Sequence, residues 1–477
     1  MQYSELKKKW LNHYQTAAEQ LEKMTEVKGL ISAFNANIDA VIKISGKQIE
    51  QIIKKHSLNR DRLLIESDKS INTNEDAVRG LIHCFKNGIA EEWLIESKKV
   101  FNWLNKNIGY DKMQMGGQGG IVANVMAVCG VDPVYVHTAS SPKEQSKLFL
   151  DLPNLKNVDE NGKIRKAHDI SRNNDIPLIH WIIEFDKGDT ININNKTINC
   201  PKANRFIATY DPLNFKLHID EAFNEKMSGV STEYEYIILS GYQMLQNQLP
   251  GGDSGIERIE ESKKIVQQWR ENNSQHILHF EIASTQDKTI RKHLINSLAK
   301  EVDSLGFNER ELIDILEVTG ETELAEQCEE NTSSSNLFMA MLKVFSYTTC
   351  PRIQLHMFGL YITIQKRGYK VSPIQNRKGM QLAANIAASK AGTGSIDSKD
   401  VLLWSKDQFV SEIGLKELKS LSETVEEEFG INNIFEEGIF VNDEIEIIAV
   451  PTIIIENPVT LVGMGDTISS VSLVAAR

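Results

Sequence analysis

The sequence predicts an α/β protein: a mostly parallel central sheet with helices on both faces, joined to a smaller β-rich domain. Three observations lead there. The chain has 477 residues, too many for one simple core. From about residue 234 onward, apolar runs alternate with amphipathic stretches. Near the end, a glycine-rich turn, Gly463-Met464-Gly465-Asp466, separates a β-rich run from a short apolar segment that starts as a helix.

Taken in chain order, residues 31–34 read as a strand, and 39–44 continue it past the polar break Asn35-Ala36-Asn37. The loop Met115-Gly116-Gly117-Gln118-Gly119-Gly120 leads into an apolar helix over 121–128, and 134–138 reads as a strand again. Residues 181–185 and 190–198 are β-rich, with Lys187-Gly188-Asp189 turning between them. These N-terminal runs are expected to build a second sheet folded over the first, so the chain crosses between domains several times. The expected boundaries are 1–37, 115–160 and 205–477 for the large domain, and 38–114 and 161–204 for the small one.

In the C-terminal half, 234–239 is an apolar run, and 256–269 places Ile256, Ile259, Ile265, Val266 and Trp269 on one helical face. A strand follows over 276–283, then a strand over 352–364, an alanine-rich helix over 379–391, and strands over 446–455 and 459–462. Such βαβ alternation predicts parallel pairing, with ligands gathered at the C-terminal ends of the strands.

A formal net charge of -12 excludes a general nucleic-acid or anionic-membrane surface, so any phosphate site must be local. The N-terminus is charged and amphipathic rather than a secretory signal, and no apolar run reaches membrane-spanning length. Five cysteines, Cys84, Cys129, Cys200, Cys328 and Cys350, are scattered without CxxC spacing. They are expected to be free thiols in a reducing cytoplasm. No feature specifies an oligomeric state.

The chemistry concentrates at Gly463-Met464-Gly465-Asp466. Glycines let backbone approach a ligand closely, and a helix start beyond them leaves amide N–H groups free for an anion. A carboxylate beside an anion hole suits proton removal from an attacking alcohol while the amides spread the charge of a transferred phosphoryl group. The same four residues also read as a turn with a helix-capping Asp466.

Five motifs in this order, Asn35-Ala36-Asn37-Ile38-Asp39, Gly116-Gly117-Gln118-Gly119-Gly120, His279-Phe280-Glu281, Asn308-Glu309-Arg310-Glu311 and Gly463-Met464-Gly465-Asp466, together resemble the ADP-dependent sugar kinases of the ribokinase superfamily. The resemblance spans nearly the whole chain and implies a ribokinase-like α/β/α large domain with a lid over the sugar. It implies glucokinase or 6-phosphofructokinase activity, with ADP as donor, AMP as product and Mg²⁺ as cofactor. Asp466 is then the general base, with Gly463 and Gly465 at the transferring group. The sugar falls to Asn37, Asp39, Gly117 and Gln118. Glu281 and Glu311 arrive from different elements as magnesium carboxylates, directly or through water, and Glu311 also reads as a helix-capping acid. His279 reads as a satisfied strand histidine.

Within the lid, the resemblance points to Glu91 as a glucose contact, with Glu92 as the alternative, and to His180. A sugar phosphate would need basic residues, for which Lys163, Arg165, Lys166, Arg172 and Arg205 are candidates. Arg205 is preferred because it is expected to return toward the large domain and span both phosphates. The adenine site is expected around His356 and Val450, next to Gly463 and Met464. The leading expectation is an ADP-dependent 6-phosphofructokinase with glucose as a candidate second acceptor. A dedicated glucokinase is the alternative, and a non-catalytic nucleotide or sugar sensor is the reading from another class.

Overall fold

Residues 30–33, 236–239 and 277–281 carry apolar side chains without strict alternation, as strands covered on both faces must. In the computed structural model, which describes residues 3–65, 69–249, 252–271, 273 and 275–477, all three are buried at every position. They lie side by side at the centre of an 11-stranded sheet. Leu30–Ala33 pairs in parallel with Tyr236–Leu239 on one side and Val134–Val136 on the other. Parallel pairing continues through Ile277–Glu281 and Ser304–Phe307 to Arg352–Met357, and in the other direction to Leu155–Val158. Both margins are antiparallel: Leu360–Lys366, Ile445–Pro451 and Ile439–Val441 at one, Ile164–Lys166 at the other.

Alternate residues feed two cores. Ile31, Ala33, Ile237 and Leu239 join one cluster, while Leu30, Tyr236 and Ile238 join another with Val122 and Val471. The second cluster brings the helices Gln118–Cys129 and Met464–Val474 onto one face of the sheet, with their N-termini at its C-terminal edge. The long helix Pro373–Thr393 packs antiparallel to Met464–Val474. Gly379 makes that approach possible, since a Cβ there would lie 2.6 Å from the Ser472 carbonyl oxygen.

The smaller domain is a six-stranded sheet in the order Ser70–Ile71, Glu91–Ile95, Asn204–Tyr210, Ile179–Phe185, Asn37–Lys43, Lys112–Gly116. The helices Gly46–Lys55, Asn74–Asn87 and Lys98–Asn107 cover one face, over Trp93, Trp181, Phe206 and Phe185. The other face is turned to the large domain. Thr190–Ile193 and Lys196–Asn199 form a separate hairpin. Its two turn residues, Asn194 and Asn195, have φ of 50° and 59°, as a two-residue hairpin of primed type requires.

Several expected boundaries move. Ile164–Lys166 belongs to the margin of the large sheet, because it pairs with Leu155–Val158 rather than with any lid strand. Asn204–Tyr210 is an interior lid strand, held by Ile179–Phe185 and Glu91–Ile95, so the chain returns to the large domain after residue 210 rather than at 205. Residues 352–364 are a hairpin, turned at Gly359 with φ +92°, rather than one strand. Residues 459–462 are a loop, with Val459 and Leu461 each 67% exposed beyond Pro458.

The close helix contact yields a prediction. Gly379→Val should force the two helices apart and lower stability by about 1–3 kcal/mol, read from the midpoint of urea unfolding. An unchanged midpoint would show that the helices are not pressed together there.

Candidate active site

Where the chain first leaves the large sheet, Phe34-Asn35-Ala36 carries it into the lid strand Asn37–Lys43. Asn37 Nδ2 donates to Asp39 Oδ1 at 2.9 Å, and both residues are buried. Three glycines press against them. A Cβ on Gly116 would sit 2.0 Å from Asp39 Oδ1, one on Gly117 2.7 Å from Asn37 Oδ1, and one on Gly119 2.8 Å from the Asn35 carbonyl oxygen. Gly117 also has φ +74° and opens the helix Gln118–Cys129. The glycine-rich loop is thus the condition for packing a helix N-terminus against the polar crossing.

Strand register decides which lid residues face the cleft. Asp39 is opposite His180, His180 opposite Thr209, and Ile207 opposite Glu92. Alternation along each strand puts Asp39, His180, Glu92 and Arg205 on this face. Glu92 Oε1 accepts from Thr209 Oγ1 at 2.6 Å and lies 3.7 Å from His180 Nδ1. His180 Nε2 reaches the fully buried Asp211 at 3.1 Å. Burial works against the charge of His180, but the bond to Asp211 and the charges of Glu92, Asp211 and Asp39 raise it to about 9. Burial pushes Asp39 up to about 6, with His180 and Asn37 opposing. Beyond Glu92, a cavity of about 1000 Å³ runs between the lid edge and the large domain, lined also by Lys69, Tyr210, Lys216 and Gln243.

Glu91, the expected glucose contact, is on the helix-covered face. It is held there by Lys69 Nζ at 2.7 Å and Trp93 Nε1 at 2.9 Å. Adjacent strand residues point to opposite faces, so the cleft residue is Glu92. Lys166 is also removed from the site, ion-paired with Asp151 and Asp169 at the margin of the large sheet. Arg165 and Arg172 are tied to Asp159 and Asp220. Arg205 is exposed on the lid strand rather than returning to the large domain, and its charge still lowers the pKa of Asp39.

On the large-domain side, Gly463 has φ +63° and starts the helix Met464–Val474, so Asp466 sits in the first turn. The Asp466 carboxylate accepts a hydrogen bond from the Gln118 side chain. Gln118 Oε1 in turn accepts from the Gly241 amide at 3.1 Å, which fixes the orientation of the side-chain amide. Burial first, then the charge of Glu281, pushes Asp466 up to about 6, against Gln118, Lys390 and His356.

Beneath the turn lies a buried charge cluster. His356 Nε2 donates to Glu281 Oε1 at 2.7 Å, and His279 Nε2 lies 3.2 Å from Glu281 Oε2. Gly306 makes room, since a Cβ there would fall 1.9 Å from that oxygen. Burial opposes the charge of Glu281, yet the two histidines bring it down to about 2, while Glu281 helps raise His356 to about 9. His279 is lowered by burial and also bonded to Ser304 and Ser469. Glu311 closes a capping box with Asn308, and burial with the neighbouring Glu281 charge pushes it up to about 8. His356 is therefore a buried counterion rather than an adenine wall. Val450 is fully buried in the core, with no surface for a ligand, whereas Met464 is partly buried at the helix start.

Among the described residues, no set of three or more His, Cys, Asp or Glu is placed to hold a metal ion. Two carboxyls, Glu281 and Glu311, nonetheless stand close enough for one to raise the other, and Glu281 is already bonded through both oxygens. That donor set fits a hard cation held through its waters. Two functional candidates escaped sequence reasoning. Asp211 directly follows the lid strand Asn204–Tyr210, just before Pro212, and Lys390 is a single charge within Ala387-Ala388-Ser389-Lys390-Ala391; both positions are the available signals.

Comparison with known proteins bears on this arrangement. Residues 28–475 match the family described as the ADP-specific phosphofructokinase/glucokinase conserved region. The ADP-dependent glucose/glucosamine kinase of Pyrococcus furiosus is 32% identical over 469 residues, covering 97% of each chain. The structure of the last common ancestor of ADP-dependent phosphofructokinases from Methanosarcinales superposes with a TM-score of 0.86 at 30% identity, over 100% of this chain and 99% of that one. An ADP-dependent kinase in complex with fructose-6-phosphate and ADPbetaS gives 0.83 at 29% identity, over 100% and 98%.

The His180 pair carries a pH dependence. Its pKa is raised from 6.5 to about 9, so the stability it contributes is complete below about pH 6.5 and is lost as pH rises through about 9. The unfolding free-energy gap between wild type and His180→Gln should therefore narrow across that window. A gap independent of pH would show that His180 is not held as a cation.

Proposed function

Because the chain belongs to the ADP-specific phosphofructokinase/glucokinase family, we propose that Asp466 is the base that lets a sugar hydroxyl take the β-phosphate of ADP. The protein is an ADP-dependent sugar kinase with small-molecule substrates. The observation that carries the assignment of roles is the setting of Asp466: first turn of a helix, bonded to Gln118, within the field of Lys390.

In the step, the sugar oxygen forms a bond to the β-phosphorus as the bond from that phosphorus to the bridging oxygen breaks. The hydroxyl proton passes to Asp466, and AMP leaves. The amides of Met464, Gly465 and Asp466 lack partners within the helix and meet the transferring group. Phosphoryl transfer needs little covalent help, so alignment and charge stabilisation dominate. Mg²⁺, when bound, neutralises charge on the diphosphate, and Glu281 and Glu311 would hold it through water. The exposed apolar side chains of Val459 and Leu461, with Met464, offer the adenine a surface beside the turn.

For the acceptor we assign fructose 6-phosphate, with glucose as a second substrate. The lid face supports both. Asp39 and Glu92, polarised by His180, suit hydroxyl donors, while exposed Arg205 suits a phosphate. A dedicated glucokinase is the second reading, favoured by the turning of Glu92 into the cleft. Five free, buried cysteines suit the cytoplasm, where we place the enzyme. No helix among the described residues is long and apolar enough to cross a membrane.

Release of AMP from ADP with each sugar tests the assignment. Asp466→Asn should cut the rate by about 10²–10⁴-fold while ADP still binds. Binding of ADP and sugar without AMP release by the wild type would instead mark a sensor. Glu92→Ala should reduce kcat/KM for glucose by about 10- to 100-fold, the worth of a hydrogen bond to a charged group, with Glu91→Ala close to wild type. Arg205→Ala should weigh mainly on fructose 6-phosphate. Equal losses with both sugars in Glu92→Ala and Arg205→Ala would remove the division of roles.

A further inference from the structure

Resting on the reading of the Gly463–Asp466 turn as the phosphoryl site, we infer that Lys390 is a positioning residue for the transfer, holding the first helical carbonyl so that the amides beyond it face the moving phosphoryl group. Lys390 Nζ donates to the Gly463 carbonyl oxygen at 3.1 Å and to Thr467 Oγ1 at 3.3 Å. The same carbonyl accepts from Thr467 N at 3.2 Å and Thr467 Oγ1 at 2.8 Å. Three donors thus converge on one oxygen at the point where the chain leaves a left-handed conformation and enters the helix.

The geometry follows from helix packing. Lys390 lies eleven residues beyond Gly379, three turns along the same helix face. That face is pressed against Met464–Val474 and Ala476, so the contact at Gly379 and the reach of Lys390 belong to one interface. Space around the ammonium is closed: a Cβ on Gly463 would lie 3.0 Å from Nζ and 2.6 Å from Ile121 Cδ1.

The charge matters as well as the bonds. Burial lowers Lys390 to about 8, and the nearby charges of Asp466 and Asp39 counter that fall. It stands between the base on the large domain and a carboxylate of the lid. The other charges felt at Asp466 come from Glu281 and His356 on two strands, and Asp466 is in turn felt by Glu311 on a helix. Lys390 is the cation of this group that also grips the turn. A rigid, positively backed turn favours the phosphoryl group in flight, whose charge is spread over three equatorial oxygens, over either bound ground state.

The test uses the full-length protein with Mg²⁺. Lys390→Met should lower kcat by about 100-fold, the scale of one lost stabilising donor, with KM for ADP and sugar within about threefold. Affinity for AMP with aluminium fluoride and sugar, a mimic of the moving phosphoryl group, should fall by a similar factor while affinity for AMP alone holds. Lys390→Arg should recover most of both. Equal loss of AMP and AMP–fluoride affinity in a folded Lys390→Met protein, or a kcat within twofold of wild type, would overturn the inference. Undiminished turnover by Asp466→Asn would instead sink the base assignment and leave the fluoride comparison standing on its own.

Discussion

The site depends on one steric condition, the approach of glycine backbone to buried polar side chains where the chain passes between its two sheets. Asn35, Asn37 and Asp39 occupy the crossing, and Gly116, Gly117 and Gly119 lie so close that none has room for a Cβ. Gly241, at φ +89°, closes on Asn35 from the neighbouring strand end and donates its amide to Gln118. Gln118 bonds Asp466. Asp39, the N-terminus of the helix Gln118–Cys129 and Asp466 are therefore joined through one chain of contacts. A methyl group at Gly116 would disturb them all.

Around this junction the protein gathers more carboxylates than a buried site tolerates unaided: Asp39, Glu92 and Asp211 on the lid side, Glu281, Glu311 and Asp466 on the other. Each group is answered by a small set of cations. His180 serves the lid carboxylates, His356 serves Glu281, and Lys390 lies between Asp466 and Asp39. Burial outweighs these cations at Asp39, Glu311 and Asp466, whose pKa values are raised. Raised carboxyls beside a helix N-terminus suit proton acceptance on one side and a hard cation on the other.

Much of this was legible in the chain itself, for physical reasons. The parallel strands announced themselves as apolar runs, and the glycine motifs could be read because close backbone approach restricts the residue type. The errors are equally physical. Glu91 and Glu92 differ by one position on a strand, which exchanges the faces of the sheet, and no periodicity in so short a run sets the register. Val450 looked like a pocket wall because an apolar strand residue reads alike whether it meets a ligand or the core. Lys166 and Arg205 were misplaced at the two ends of the second lid segment, Lys166 by where the chain leaves the large sheet and Arg205 by where it returns. Lys390 could not be found, because its role arises from a contact with residues 73 and 77 positions further along.

The strand order of the smaller domain has a consequence for how the protein is made. Its two central strands, Ile179–Phe185 and Asn204–Tyr210, come from the second excursion, with strands of the first excursion on either side. The sheet cannot close until translation has passed residue 210, well after Glu91–Ile95 and Asn37–Lys43 have left the ribosome. Those early strands must wait with unpaired edges, the condition in which nascent chains most need chaperones.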